Sequence, residues 1–203
     1  MSTSYTNNLD LVVDTSLNIE GDSYESFSDE LITELDSIST TLKQQLSNKQ
    51  RRVLISDLRN EKMSRPYVRE RLRKITTSDF NSYLGSAKNP VNNDYSGIYV
   101  FGCKYKNEII PVYVGISRNI VRRLYKHFWV QKSNSASWMY RIAQKYLQAN
   151  TKNHKSQISE LQEGLATKIY VTIYPLSEPY KMHMAEAYIA SVLKTYWNTF
   201  KTH

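Results

Sequence analysis

Residues Gly97–Phe128 read GIYVFGCKYKNEIIPVYVGISRNIVRRLYKHF, and this stretch decides the fold. Two runs of β-branched and aromatic residues, 97–103 and 108–115, flank the polar tetrapeptide KYKN. Runs of this composition predict strands, and the polar residues between them predict a turn. A β-hairpin is therefore expected here.

The apolar period changes directly after the second run. Ile120, Leu124 and Phe128 recur at every fourth position, which predicts a helix. Ser117 or Asn119 is suited to cap its first turn. The hairpin is thus expected to lead straight into a helix.

Four side chains of this stretch are expected to meet over one small patch. Alternation along the strands lets Tyr99 and Tyr113 face the same side of the hairpin. Arg123 and His127 are four residues apart and therefore lie on one face of the predicted helix. The sequence predicts a cluster of two phenols, a guanidinium and an imidazole.

These residues resemble a known family of nucleases. Gly97-Ile98-Tyr99 and Tyr113-Val114-Gly115 look like the GIY-YIG signature, with valine in place of its isoleucine. The resemblance covers residues 97–200, about half of the chain. The remaining family positions are matched, in order, by Arg123, His127, Glu186 and Asn198. The two tyrosines lie slightly farther apart than is usual in the family, which we interpret as a longer hairpin turn.

The resemblance implies an α+β fold with a small three-stranded antiparallel sheet flanked by helices. It also implies hydrolysis of phosphodiester bonds with one divalent metal ion, Mg²⁺ or Mn²⁺. In this interpretation Glu186 holds the metal and Arg123 donates to the scissile phosphate. Asn198 would orient the site or contact phosphate.

The general base is left open by the sequence. Tyr113 is favoured, and Tyr99 and His127 are expected close by to position water or to carry the proton. A free phenol has a pKa of about 10, so a tyrosine base needs a neighbouring positive charge or works through a neighbour.

Charge is distributed unequally along the chain. Residues 1–42 contain nine acidic and no basic residues, whereas residues 43–203 contain 27 basic and 10 acidic residues. A strongly basic surface attracts polyanions, which makes DNA the expected partner. Arg122 and Lys126 flank the predicted cluster and are candidates for contacts with the DNA backbone.

Three regions are expected along the chain. Residues 1–27 are interpreted as an acidic arm or tail, 28–90 as a basic helical extension and linker, and 91–203 as the nuclease-like domain. The extension is predicted to hold helices over 28–47 and from Arg51 onward. A third predicted helix begins at Pro66.

This third predicted helix is strongly basic. It has two open interpretations: a helical arm that grips DNA, or a helical layer packed on the core with its arginines in solvent. Its apolar side is expected to include Tyr67, Leu72 and Ile75. The candidate nucleic-acid contacts on it are Arg69, Arg71, Arg73 and Lys74.

The second half of the chain is expected to complete the domain. Residues 168–176 alternate and predict the third strand. The last predicted helix, about 180–196, has its apolar stripe assigned to Met184, Tyr188, Val192 and Tyr196, with Glu186 half-buried beside that stripe. Trp138 and Ile142 are interpreted as core residues of another helix.

Location and partners follow from what the sequence lacks. It has a single cysteine, Cys103, no signal sequence and no apolar run of about 18 residues. We therefore expect a cytoplasmic protein without membrane contact.

Several roles are compatible with the resemblance. The favoured one is a standalone site-specific nuclease of the restriction or defence type. A mobile-element, homing or repair-type nicking nuclease, an RNA nuclease and a non-cleaving nucleic-acid-binding module are the alternatives. Cleavage of both strands would require a homodimer or two successive nicks. The acidic residues 1–42 are hypothesised to cover the basic surface as an autoinhibitory DNA mimic.

Overall fold

The computed structural model describes most of the predicted nuclease-like domain and part of the extension. The described residues are 24–58, 65–76, 96–128, 138, 141–142, 145 and 155–198. Most of the predicted acidic arm and of the linker before the hairpin lies outside them. The chain divides into two compact units, Met1–Asp36 and Ser37–His203.

The elements alternate between helices and strands in the order of the chain. The helices are α1 (Tyr24–Ser47), the single turn α2 (Ile55–Leu58), α3 (Arg65–Ile75), α4 (Ile120–Phe128), α5 (Lys155–Ala166) and α6 (Pro179–Val192). The strands are β1 (Val53–Leu54), β2 (Gly97–Tyr105), β3 (Glu108–Ser117) and β4 (Ile169–Pro175).

The described strands form one antiparallel sheet with the order β1-β4-β2-β3. The α+β class and the three predicted strands are confirmed. The predicted number of strands is wrong, because the two-residue strand β1 pairs with β4 as a fourth member. This strand lies where a helix was predicted from Arg51 onward, and it makes residues before position 91 part of the sheet.

The β2–β3 hairpin closes through a tight turn. Only Lys106 and Asn107 separate the strands, and Lys106 has a φ of 54°. The interpretation of a longer turn is therefore wrong. The additional length lies in two long strands and in an irregularity of their pairing between Phe101 and Gly102, where Val112 has no partner on β2.

One face of the sheet carries the main hydrophobic cluster. Tyr99 and Phe101 of β2 join it together with Ile173 of β4. The helices α2, α3 and α4 contribute residues to the same cluster, and so do Trp138 and Ile142. Both of these predicted core residues are buried.

The C-terminal half of α1 covers the opposite face. A Cβ atom on Gly102 would contact the side chain of Leu46. Thr172 of β4 is buried and donates a hydrogen bond of 2.6 Å to Oε1 of Gln45. The predicted helix over 28–47 is thus confirmed.

The buried face of α3 differs from the predicted one by one residue. Val68, Leu72 and Ile75 are buried, whereas Tyr67 is half-buried and donates its hydroxyl to the Asp57 carbonyl. The helix packs against α4 and β4. Tyr67 therefore lies at the border of the packed face.

The predicted apolar stripe of α6 is wrong. Met184 and Val192 are each 48% exposed, and the residues that the helix buries are Met182, Ala185, Ile189 and Ala190. Alanine is a weak hydrophobic signal in a sequence, yet its small side chain allows a helix to lie close to a sheet. None of the described helices is both long and apolar enough to cross a bilayer.

Candidate active site

The two signature tyrosines lie on the same face of the hairpin, as predicted. Tyr99 is paired with Gly115, and Tyr113 is paired with Phe101 on β2. The centroids of the two phenol rings are 6.1 Å apart. The hairpin therefore brings both hydroxyl groups into one cluster.

Gly115 is required by the packing of the Tyr99 ring. A Cβ atom at this position would overlap Cζ and the hydroxyl oxygen of Tyr99 and would lie 2.9 Å from Cε1 of Tyr113. Because the strand backbone is fixed by pairing, it cannot retreat from the ring. The glycine of the second tripeptide thus allows the phenol to lie directly on the neighbouring strand.

Helix α4 begins at a capped turn beside the end of β3. Oδ1 of Asn119 accepts a hydrogen bond of 2.8 Å from the backbone N–H of Arg122. The backbone N–H of Asn119 donates to the hydroxyl oxygen of Ser117. Of the two predicted caps, Asn119 is the N-cap. This start fixes the rotation of α4, so that Arg123 and His127 face the tyrosines.

The Tyr99 hydroxyl is the centre of a polar network. It lies 2.8 Å from Nε2 of His127, and Nε of Arg123 donates to it over 3.4 Å. Tyr113 interacts with both the Tyr99 phenol and the Arg123 guanidinium. The four residues predicted to meet therefore form one connected cluster.

His127 is enclosed by aromatic rings. Its side chain is 0% exposed, and the rings of Tyr99, Phe101, Tyr113 and Trp138 surround it at centroid distances of 5.6 to 6.3 Å. Burial, with a smaller effect of the Arg123 charge, holds the pKa of His127 well below its usual range. The imidazole is therefore neutral near neutral pH.

Both phenols are also held in the neutral form. Burial raises the pKa of Tyr99 well above its usual value, and the interaction with Tyr113 adds to this effect. Burial, followed by the Glu186 charge, raises the pKa of Tyr113. The Arg123 charge acts in the opposite direction on both groups. A cation bound near Glu186 would offset the charge of that carboxylate and so reduce the rise in the pKa of Tyr113.

Glu186 lies on α6 and reaches the same cluster from another element. Its side chain is half-buried, as predicted, and burial raises the pKa of its carboxyl, while His183 and Arg123 act in the opposite direction. Within the described ranges, no ion pair is formed by this carboxylate. Leaving a carboxylate partly desolvated without an ion pair is unfavourable unless a cation binds.

Glu186 is not part of a larger group of metal ligands in the described residues. Among the residues that the structure describes, no group of three or more His, Cys, Asp or Glu side chains converges. Mg²⁺ commonly binds to one or two carboxylates and takes its other ligands from water and substrate phosphate. The single carboxylate of Glu186 fits this mode of binding and does not fit a closed structural site.

Asn198 is placed against the backbone of β3. Its Nδ2 donates to the carbonyl of Val114, its Oδ1 accepts from the N–H of Val114, and both distances are 2.7 Å. The hydroxyl of Thr195 also donates to Oδ1. These contacts use the carboxamide to hold the strand residue between Tyr113 and Gly115, which is a positioning role.

The candidate nucleic-acid contacts differ in exposure. Arg122 is exposed and Lys126 is half-buried on α4. On α3, the Nε atoms of Arg69 and Arg71 are buried, while Arg73 pairs with Glu70 at 3.1 Å. Lys74 is exposed in the last turn of α3.

Gln162 and Gly115 were not identified as site residues from the sequence. Gln162 is 3% exposed on α5 and donates to the carbonyl of His127, which fixes the end of α4. A glutamine in a polar segment carries no sequence signal for such a role. For Gly115, the signal was the tripeptide itself, but its packing against Tyr99 appears only in three dimensions.

Comparisons with known proteins do not add a relative. No family model matches the chain, and no match was found among the curated proteins or the solved structures.

Proposed function

We propose that the protein is a metal-dependent DNA endonuclease with an active site of the GIY-YIG type. The observation that carries this proposal is the convergence of Tyr99, Tyr113, Arg123, His127 and Glu186 from four separate elements. These residues occur in the order of the family motif, and they meet at one end of a hairpin followed by a helix.

The residues supply the functions that phosphodiester hydrolysis needs. The reaction requires an activated water, positive charge at the phosphoryl oxygens and stabilisation of the negative charge that develops on the leaving oxygen. Arg123 is half-buried and held by the tyrosines, so its guanidinium is oriented before substrate binds. It is the candidate donor to the scissile phosphate.

Glu186 is the residue that would hold the metal. A bound Mg²⁺ or Mn²⁺ supplies positive charge at the phosphate and lowers the pKa of a coordinated water. The partly buried carboxylate, without an ion pair in the described part of the chain, supports this assignment.

The difference in burial among the three candidate bases supports Tyr113 as the general base. Tyr99 and His127 are both 0% exposed, whereas Tyr113 is 7% exposed. Tyr113 also interacts with Glu186 and Arg123, the two charged groups of the cluster. It is therefore the candidate to accept the proton of the attacking water, and Tyr99 and His127 position it from behind.

Nucleic acid is the proposed substrate because of the charge of the chain. Residues 43–203 carry 27 basic and 10 acidic residues, and a field of this sign favours encounter with a polyanion. We infer site-specific cleavage of the restriction or defence type, with double-strand cuts made by a homodimer or by two successive nicks.

The test is cleavage of supercoiled plasmid and of linear DNA with Mg²⁺, Mn²⁺ or EDTA. Glu186→Gln and Tyr113→Phe should each lower the rate by at least about 100-fold, as removal of a group acting on the transition state does. Discrete fragments indicate site-specific cutting, whereas nicks or smears indicate a relaxed nuclease.

Matched controls separate loss of chemistry from loss of structure. Glu108→Gln and Tyr105→Phe make the same chemical changes at exposed positions of the hairpin and should leave cleavage intact. Binding without cutting under every metal condition would contradict the endonuclease and favour a binding module. Cleavage of RNA but not of DNA would contradict the proposed substrate.

A further inference from the structure

We propose that Arg118, Arg122 and Lys126 form a cationic row that binds the phosphate backbone of duplex DNA next to the active site. This inference rests on the proposed function and names the part of the surface that holds the substrate. It adds Arg118, which lies outside the family motif.

Two of the three side chains lie on one side of α4, and the third lies just before the helix begins. Residues four apart on a helix lie one turn from each other on the same side, which relates Arg122 to Lys126. Arg118 directly precedes the N-cap Asn119, so it lies beside the first turn of the helix. Arg118 and Arg122 are exposed, and Lys126 is half-buried. The charged ends can therefore contact a ligand that runs along the helix.

The row has no internal counter-charge. Helix α4 contains no acidic residue, and in the described ranges none of the three side chains forms an ion pair. Two other cations in the described ranges are paired: Arg73 with Glu70, and Lys181 with Glu178. The positive charge of the row is thus available to an external anion.

Helix stability does not explain the two arginines of the row. The N-terminus of a helix is its positive end, where acidic side chains are favourable and cations are unfavourable. The first turn of α4 nevertheless has no acid and contains Arg122 and Arg123. An arrangement that is unfavourable for the free helix becomes favourable when phosphate groups lie beside it.

The row is continuous with the candidate active site. Arg123 follows Arg122 directly and donates to Tyr99. DNA held along the row would therefore lie beside the turn of α4 that carries Arg123. The basic helix α3 is a weaker candidate for this role, because the Nε atoms of Arg69 and Arg71 are buried there.

The experiment measures DNA binding in EDTA, where no cutting is expected. Fluorescence anisotropy of a labelled duplex is recorded over a range of salt concentrations. The test variant combines Arg118→Gln, Arg122→Gln and Lys126→Gln. Each phosphate contact contributes about 0.9 to the slope of log affinity against log salt, so the slope should fall by about 2.7.

The control variant combines Lys104→Gln, Lys106→Gln and Lys168→Gln. These exposed lysines lie at the other end of the sheet, near the hairpin turn and the start of β4. The variant has the same net charge as the test variant, so it measures the effect of total charge alone. We expect its slope to stay close to that of the unaltered protein.

The outcomes distinguish the row from the proposed function. Equal slopes for the test and control variants would overturn the row, and so would an absence of DNA binding by the unaltered protein. Metal-dependent cutting combined with equal slopes would leave the nuclease intact and remove the row. Binding that depends on the row without any cutting would support the row and contradict the nuclease.

Discussion

The carboxamide of Asn198 forms two hydrogen bonds with the backbone of Val114, 84 residues earlier in the chain. Val114 belongs to β3, at the edge of the four described strands, where backbone groups are not used by a further strand. The neighbouring Trp197 donates its N–H to the carbonyl of Val112. The segment after α6 thereby fixes the strand that carries Tyr113.

Asn198→Asp should destabilise the protein by about 1–3 kcal/mol, because two hydrogen bonds are weakened or lost. Aspartate keeps an acceptor for the N–H of Val114 but places a second oxygen against its carbonyl. Urea denaturation measures the free energy of unfolding. Asn107→Asp, in the exposed hairpin turn, makes the same chemical change and should have an effect within about 0.5 kcal/mol of zero. Equal effects of the two substitutions would contradict the positioning role.

Gly115→Ala should lower both stability and cleavage, because the added methyl group overlaps the Tyr99 phenol. We expect a loss of about 1–3 kcal/mol, as for other overpacked positions. Gly164→Ala is the natural comparison, since nothing lies within 4 Å of a Cβ atom there. In the helix α5 this change should raise stability by up to about 1 kcal/mol. A tolerated Gly115→Ala would show that the Tyr99 ring is free to move.

The buried His127 should make stability fall at acidic pH. Its folded pKa is well below the value of about 6.5 expected in the unfolded chain, so only the unfolded state takes up this proton as pH falls from 6.5. The stability that the neutral His127 contributes is therefore complete above pH 6.5. It decreases as pH falls toward the lower pKa of the folded state. His127→Gln should flatten the dependence of unfolding free energy on pH between 6.5 and 5. An unchanged pH dependence in His127→Gln would contradict this origin of the acid sensitivity.

Glu186 should have the opposite dependence on pH. Because burial raises the pKa of its carboxyl, the folded state keeps this proton to a higher pH than the unfolded state. Stability is therefore lost as pH rises from about 4.3 through the raised folded pKa. The stability of Glu186→Gln relative to the unaltered protein should therefore be greater at pH 8 than at pH 4. Its cleavage rate should be at least about 100-fold lower. An equal difference in stability between the two proteins at both pH values would contradict this prediction.

The effect of metal ions on stability gives an independent test with the unaltered protein and Glu186→Gln. Mg²⁺ or Mn²⁺ should raise the melting temperature of the unaltered protein, because a ligand that binds only the folded state stabilises it. The increase should disappear in Glu186→Gln. An equal increase in both proteins would place the metal elsewhere.

The parts of the fold that could be predicted are those with a strong local period. The alternation in β2, β3 and β4 and the fourfold spacing in α4 were sufficient to place the hairpin and the helix after it. The two-residue strand β1 could not be predicted, because its pairing with β4 depends on residues more than 110 positions later, as in the pair Val53 and Val171. Non-local pairing leaves no pattern in so short a segment.

The candidate site could likewise be predicted only in part. Strand alternation allowed Tyr99 and Tyr113 to share one face, but the irregularity at Val112 that places them there could not be predicted. The buried side of α6 was misassigned because the sheet, and not the apolar content of the helix, decides which side is covered. Met184 is therefore exposed while Ala185 is buried. The support that Gln162 gives to His127 is a single contact between helices, which no periodicity indicates.

The unpaired Val112 determines which side of the hairpin carries Tyr113. If pairing continued without interruption from the turn, Tyr113 would lie opposite Val100, and its phenol would point away from Tyr99. One extra residue reverses this parity and places Tyr113 opposite Phe101. Loss of Val112 would remove the irregularity and keep Tyr113 opposite Phe101, whereas regular pairing with Val112 retained would separate the two hydroxyl groups onto opposite faces. During divergence, a change of one residue in the length of this part of the hairpin should therefore occur together with gain or loss of such an irregularity.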